Sequence, residues 1–296
     1  MKDYLTVIGA GLAGSEAAWQ AAERGVQVVL YEMRPVSRTP VHKTDQCAEL
    51  VCSNSLGNNL PHSAPFILKE ELRSFKSIVI ASGDKNSVPA GSALAVDRDL
   101  FSKEITEKLS NHPNITFKRE EVIEIPQEGP VIIATGPLTS PRLSEQISKL
   151  IGQEYLYFYD ALSPIVNADS IDYDKAFFAS RYDKGDADYL NCPMNESQYY
   201  EFVRELKASA KVPFATFEKA IYFEGCMPIE ELAERGDRTL AFGPLKPVGL
   251  TDPKTGKMAH AVVQLRRENK ESSAYNLVGF QTKLTYPEQK RIFSMI

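Results

Sequence analysis

Two of the four cysteines occupy surroundings that could make them reactive. Cys226 lies in YFEGCMPIEELAERG (222–236), two residues ahead of Pro228, and Glu230 and Glu231 follow. Proline suits the first turn of a helix and acids suit its early positions, so the spacing predicts Cys226 at or just before a helix cap. Backbone N–H groups at a helix start favour a thiolate over a thiol. Glu224, Glu230 and Glu231 pull the other way, and Gly225 gives the backbone room to bend or lets a flat substrate approach. Cys52 lies in ELVCSNSLG (49–57) and is followed by Ser53, Asn54 and Ser55, all small and polar. There a reactive thiol and an inert buried one are equally open readings. Cys47 and Cys192 are expected to be inert. The Cys47-x4-Cys52 spacing lacks the paired short spacings of a zinc ribbon and no histidine pair completes it, so no metal site is expected. Four cysteines in 296 residues are too few for a disulfide scaffold and fit a reducing cytoplasm.

A second constellation is built of glycines. After the apolar run YLTVI (4–8) comes GAGLAG, which places Gly9, Gly11 and Gly14 in a G-x-G-x-x-G pattern together with Ala10, Leu12 and Ala13. A helical segment, SEAAWQAAER (15–24), follows; Gly25 ends it, and VQVVLYE finishes a second strand at Glu32. Each part has a role in binding a dinucleotide. Gly9 permits the tight turn, Gly11 lets the backbone approach a pyrophosphate, and Gly14 lets helix and strand pack closely. The helix start offers N–H groups and a positive dipole end to the phosphates. Glu32 can accept hydrogen bonds from ribose hydroxyls and disfavours a 2′-phosphate. A later buried strand, PVIIATGP (130–137), brings Thr135 and Gly136 to a turn. Flavoproteins of the glutathione-reductase type often return to the dinucleotide at such an Ala-Thr-Gly turn, a fold-level likeness that favours FAD over NAD.

The elements that must hold these groups are readable too. Residues 33–64 are rich in Pro, Ser, Asn and His and read as an active-site loop. Helices are predicted over 64–75, over 98–110 with Asp97 as cap, from Ser140 through PRLSEQISKLI, and after Asn195. ITFKR (115–119) reads as a strand. From 153 onward Tyr and Phe become dense, which puts a domain boundary near 150. The composition, 43% hydrophobic and 25% charged, is that of an ordinary globular protein. No stretch approaches the length of a membrane span, and MKDYLTVIGAGLAG is not a signal peptide. The formal net charge of −5 argues against a surface that grips nucleic acid all over. The charge is nonetheless segregated: residues 240–296 carry nine Lys/Arg against four Asp/Glu. That segment is either a solvated face or a site for a polyanion.

Taken together, several stretches resemble one family, the folate- and FAD-dependent tRNA uracil-5-methyltransferases (TrmFO), within the glucose-inhibited division protein A-like flavoproteins. They are VIGAGLAGSEAAWQAAERGVQVVLYEMRP (7–35), AELVCSNSL (48–56), ALAVDRDLFS (93–102), VIIATGPLTS (131–140), YFEGCMPIEELAERG (222–236), FGPLKPVGL (242–250) and YNLVGFQTKLTYPEQKRIF (275–293). The resemblance implies an α/β fold: a glutathione-reductase-type Rossmann FAD-binding domain over 1–150 and a second, α+β insertion domain over 151–296 that takes tRNA. It implies FAD as cofactor, methylenetetrahydrofolate as one-carbon donor, NADPH or NADH as reductant, and a T-loop uridine of tRNA as substrate in the cytoplasm. It also implies that one cysteine adds to C6 of uracil while the other serves proton transfer at C5. The helix-mouth argument assigns Cys226 as nucleophile and Cys52 as helper; the reverse assignment stays open. A related FAD-dependent wobble-uridine enzyme and a non-catalytic binding remnant are the alternatives. Two departures stand out. The family's chains run well beyond Ile296, so this one is expected to be short of the family length and to lack the segment that completes the dinucleotide domain. The CSNSL stretch is usually followed by arginine, where Gly57 stands here.

Overall fold

The computed structural model describes residues 4–39, 41–152, 163–183, 186–212 and 227–296. The chain divides into two compact units. The first comprises Met1–Val51, Leu56–Ser87 and Val96–Phe158, and the second Cys52–Ser55, Val88–Ala95 and Tyr159–Ile296. The chain thus leaves the first unit for a four-residue excursion that begins at Cys52.

The elements run β1 (Tyr4–Ile8), α1 (Leu12–Glu23), β2 (Gln27–Glu32), β3 (Ser55–Asn58), α2 (Ala64–Ser74), α3 (Ile78–Lys85), β4 (Ser87–Val88), β5 (Ala93–Val96), α4 (Arg98–Ser110), β6 (Ile115–Arg119), β7 (Val131–Ile133) and α5 (Pro141–Ile151). In the first unit β6, β2, β1 and β7 form, in that order, a parallel sheet. Order reverses beside β1, since β2 lies on one side and β7 on the other. In open parallel sheets that reversal leaves a crevice at the carboxyl ends of the strands, where ligands bind. Helix α1 turns a face of Gly14, Ser15, Ala18 and Ala22 inward. These small residues let it lie close to β1 and β2, whose Val7, Val28 and Leu30 are fully buried with Phe101, Ile105 and Leu109 of α4. The helix starts three residues earlier than its sequence suggests, because Gly11 itself takes the cap position. Asp97 caps α4 as expected, its side chain accepting from Leu100 N–H. The strand anticipated over 130–137 is shorter than expected: it gives way to a turn in which Gly136 has φ +63°.

The second unit continues with β8 (Ile165–Asn167), β9 (Phe177–Ala179), β10 (Tyr189–Met194), α6 (Glu196–Ala208), α7 (Ile229–Glu234), α8 (Thr239–Phe242), β11 (Ala261–Arg267), β12 (Ala274–Leu277) and α9 (Tyr286–Phe293). Its antiparallel sheet has the order β8-β12-β11-β10-β9. Asn195 and Gln198 form a reciprocal capping box at the start of α6. Tyr199, Phe202, Val203 and Leu206 recur at helical spacing along α6 and pack into one core with Leu190, Met194, Val263 and Leu277 of the sheet. Among the described residues no helix is long and apolar enough to cross a membrane.

Candidate functional site

The first unit holds a cleft at the carboxyl end of its sheet, lined by Gly9, Gly11, Glu32, Arg34, Thr135 and Thr139 among others. Its floor is the glycine turn. Gly9 has φ +95°, and a Cβ there would stand 2.8 Å from the Ala134 carbonyl oxygen. A Cβ on Gly14 would fall 1.8 Å from the Gly9 carbonyl oxygen. Both glycines are therefore demanded by backbone running against backbone. Gly11 differs: nothing lies within 4 Å of a Cβ built on it. Its bareness keeps open a space that the protein leaves clear beside the start of α1. No side chain caps that helix start, and Leu12 and Ala13 are exposed there. A second helix start reaches the same cleft. Ser140 occupies the cap position of α5, yet its hydroxyl makes no capping bond and is a buried polar atom without a partner among the described residues. A clear cradle over Gly11, uncapped N–H groups and an orphaned hydroxyl fit a phosphate-bearing dinucleotide.

Glu32 ends β2, is buried and lines the cleft. Its Oε2 accepts the Ala10 N–H at 3.0 Å, tying the strand end to the glycine turn. Its Oε1 accepts from Arg34 N at 3.1 Å and Nε at 2.7 Å. Arg34, 2% exposed, also donates from Nη1 to Glu49 Oε2 at 2.8 Å and to the Thr44 carbonyl at 3.2 Å. Burial would raise the Glu32 carboxyl pKa, but the hydrogen bonds and charge of Arg34 and the Ala10 N–H together hold it below the ordinary value. Burial likewise lowers the His42 pKa, with Arg34 adding to the effect. Arg34 and Glu49 carry the geometry of this site but do not stand out in the sequence. The only signal is a charged residue two positions past the strand-end acid. The loop read as an active-site loop is fastened to the glycine turn by the Ala48 N–H, which donates to the Ala10 carbonyl at 2.8 Å. Thr135 lines the cleft with its hydroxyl bonded to that of Thr139 at 2.6 Å. Gly136 instead forms the turn behind it, its carbonyl accepting from Thr139. Gly57, the position at which the resemblance leads one to expect arginine, has φ +87°, which arginine would adopt only with strain. The ammonium of Lys69 stands beside it and donates to the Leu56 carbonyl at 3.1 Å.

In the second unit the thiol of Cys52 is half-buried, and Gln281 Nε2 donates to its Sγ at 3.8 Å. Gln281 has a second link: its carbonyl accepts the Ile229 N–H at 2.7 Å. Ile229 is three residues along the chain from Cys226, which lies outside the described residues. The helix expected after Cys226 begins only at Ile229, has Pro228 in its cap position and is six residues long. Cys226 is thus two residues ahead of the cap, and so short a helix contributes little dipole. Glu230 is wholly buried, accepting from Lys283 N at 2.6 Å and Thr282 Oγ1 at 2.9 Å. Burial raises its pKa above the ordinary value despite these bonds. Its acid therefore ties the start of α7 to the 282–283 segment. Cys47 and Cys192 are pushed up to about 11 by burial and remain thiols near neutral pH. Cys47, Cys52 and Cys192 form no disulfide, and the described residues contain no group of side chains that could hold a metal. The basic segment is only partly a surface: Arg266 is buried beside Cys52's neighbours, and Arg291 pairs with Glu205 at 2.6 Å and Glu288 at 2.7 Å. Lys254, Lys257 and Lys270 are exposed.

A parallel sheet with a glycine turn at its switch point, carried in one chain with a second α+β unit, defines a glutathione-reductase-type α/β protein. A solved GidA structure from Aquifex aeolicus has the same fold, with a TM-score of 0.67 at 14% identity over 98% of this chain and 52% of that one. The family model "Glucose inhibited division protein A" matches residues 4–296. The chain belongs to that family. Methylenetetrahydrofolate–tRNA-(uracil-5-)-methyltransferase TrmFO of Heliobacterium modesticaldum is 61% identical over 292 residues, 99% of this chain and 66% of its own length. The TrmFO of Citrifermentans bemidjiense is 61% identical over 297 residues, 100% of this chain and 68% of its own. The chain spans about two thirds of the length of the curated relatives it matches.

Proposed function

We propose that this protein methylates tRNA at C5 of a T-loop uridine, using methylenetetrahydrofolate, FAD and NADPH or NADH, in the cytoplasm where tRNA resides. The observation that carries this reading is the 61% identity, across essentially the whole chain, to relatives named for that reaction. FAD supplies the site where the one-carbon unit and the reducing electrons meet. Gly9 and Ala10, their own N–H groups held by Tyr31 and Glu32, would shape the turn. Gly11, Leu12, Ala13 and Gly14 at the helix start would offer backbone N–H groups to its pyrophosphate over the clear space at Gly11. Glu32, held in place by Arg34 and already bonded to Ala10, keeps acceptor capacity on Oε2 for a ribose hydroxyl. Thr135 closes the cleft beyond β7, and Gly136 shapes the turn behind it.

Uracil C5 is a weak nucleophile until a soft nucleophile adds at C6. The Cys226 thiolate makes that bond, and the electron pair of the C5–C6 double bond becomes available at C5. After C5 has taken the methylene still joined to its carrier's nitrogen, Cys52 removes the C5 proton. The pair left behind expels that nitrogen to leave a methylene double-bonded to C5. A hydride drawn from the nicotinamide reductant then adds to this carbon, giving the methyl group, as the C5–C6 double bond re-forms and the Cys226 sulfur departs. Gln281 supports this pairing of roles, since its side chain bonds Cys52 and its carbonyl holds Ile229, three residues beyond Cys226. Residues 151–296 take the tRNA, with the exposed Lys254 and Lys257 facing solvent where phosphates can meet them. The base leaves its stack to reach the flavin. The test is the visible absorbance of the purified protein, as isolated and after adding FAD. A bound-flavin spectrum is expected in at least the second case; a protein that stays colourless and refuses FAD refutes the reading.

A further inference from the structure

A buried arginine ties the Cys52–Ser55 segment to strand β11. Arg266 is 6% exposed. Its Nε donates to Asn54 Oδ1 at 2.8 Å and its Nη2 to Ser53 Oγ at 2.7 Å. Asn54, fully buried, returns the contact by donating from Nδ2 to the Arg267 carbonyl at 2.9 Å. Across the strand pair Arg266 faces Asn276, whose Oδ1 accepts from Nη2 at 3.3 Å. Asn276 is 1% exposed, and its Nδ2 is a buried donor without a partner among the described residues. Leaving such a donor dry costs about 1–3 kcal/mol. A cluster that only stabilised the fold would do better with an apolar pair. This one accepts the cost and keeps an amide oxygen aimed at the guanidinium.

We propose that Arg266 is a positioning residue for the Cys52 thiol: it fixes the Cys52–Ser55 segment on β11 and, with Gln281, favours the anionic sulfur. The two residues after Cys52 both hang on the guanidinium, so its charge is fixed within one residue of the thiol along the chain. Gln281 adds an N–H donor at the sulfur itself. A neighbouring cation and a donor to sulfur both favour thiolate. Cys47 and Cys192 show the contrast, for burial dominates at both and pushes them up to about 11. The proposal deepens the methyl-transfer reading, in which Cys52 must be a thiolate to accept the C5 proton.

The test is peptide-resolved alkylation of Cys52 by iodoacetamide between pH 5.5 and 9.5, comparing the full chain with Arg266→Met, Arg266→Lys and Gln281→Leu. In Arg266→Met the half-maximal pH is expected to rise by about one unit, with a roughly tenfold slower rate at neutral pH. Arg266→Lys should recover most of that shift, because it restores the charge without the two-pronged donor geometry. An Arg266→Met profile that coincides with the parent's, whatever its melting temperature, overturns the proposal. If Arg266→Met does not fold, Gln281→Leu carries the test, and an unchanged midpoint there overturns it equally. Alkylation needs no flavin, folate or tRNA, so failure here is distinguishable from failure of the methyl-transfer reading.

Discussion

Replacing Arg34 by Met tests the dinucleotide cleft at its electrostatic centre. The substitution keeps an unbranched side chain of similar length but removes the cation that Glu32 meets at 2.7 Å and Glu49 at 2.8 Å. Arg34 and Glu32 are both buried, so the change leaves carboxylate charge in the interior without its partner. Breaking a buried pair from one side costs about 3–5 kcal/mol. For a unit of about 150 residues each kcal/mol moves the melting temperature by about 2–4 °C, so a drop of roughly 6–20 °C is expected at pH 7. The pH dependence follows from the pKa direction. In the parent, Glu32 is held below its ordinary value, so its contribution is present above about 4.5 and is lost as pH falls through the lower folded value. Without the Arg34 guanidinium, only the backbone N–H groups of Ala10 and residue 34 oppose burial at Glu32, and its pKa rises. The variant then loses stability as pH rises and regains it as the carboxyl takes up a proton. The gap between parent and variant should therefore be widest near neutrality and narrow toward pH 4. Adding Glu32→Gln to Arg34→Met should recover part of the loss, a coupling of about 0.5–3 kcal/mol. The assay is thermal unfolding by circular dichroism from pH 4 to 8. A gap below about 3 °C at pH 7, or one that does not change with pH, would refute the reasoning.

The two inner glycines of the turn should separate stability from binding. Gly14→Ala drives a Cβ into the Gly9 carbonyl and should cost about 3 kcal/mol, read as a lower melting temperature. Gly11→Ala meets no protein atom, so it should melt within about 1 kcal/mol of the parent while weakening FAD binding roughly 10- to 100-fold in a fluorescence titration. Glu230→Ala strands the Lys283 N–H and the Thr282 hydroxyl and should cost about 2 kcal/mol in a denaturant melt. Because burial raises the Glu230 pKa, its contribution is present below about 4.5 and lost as pH rises through the folded value; Glu230→Gln should flatten that slope in melts taken across pH 4.5–7. Cys47 and Cys192 should alkylate slowly at pH 8, with only about a thousandth of each ionised, and Cys192→Ala should leave methyl transfer unchanged.

What the sequence disclosed was what neighbours along the chain decide. Asp97 caps α4, the Asn195–Gln198 box opens α6, Ser140 precedes α5, and Gly9 and Gly14 stand where backbone meets backbone. The local patterns also gave both strands that flank the glycine turn. What they did not disclose depends on partners far apart. Arg34 takes its role from a loop that folds back to bring Glu49 against it. Arg266 meets Asn54 across 212 positions, and no local pattern marks it out from its neighbours in a basic segment. The helix after Cys226 starts later than the spacing predicts, with Pro228 in the cap position, for a similar reason. IEELAERG has good helix formers, but tertiary contacts of Ile229 and Glu230 with the 281–283 segment set its start, and the chain turns away at Gly236, where φ is +154°.

The central claim is a methyl transfer to a T-loop uridine that depends on a thiol. The most direct measurement is to supply an unmodified tRNA transcript, carbon-labelled methylenetetrahydrofolate, FAD and NADPH, and to identify the labelled nucleoside and its position for the parent and for Cys226→Ala. The account predicts labelled 5-methyluridine in the T-loop with the parent and none with Cys226→Ala, although that variant keeps any flavin the parent holds. Label in a wobble uridine, no label from a flavin-loaded parent, or full transfer by Cys226→Ala would contradict it.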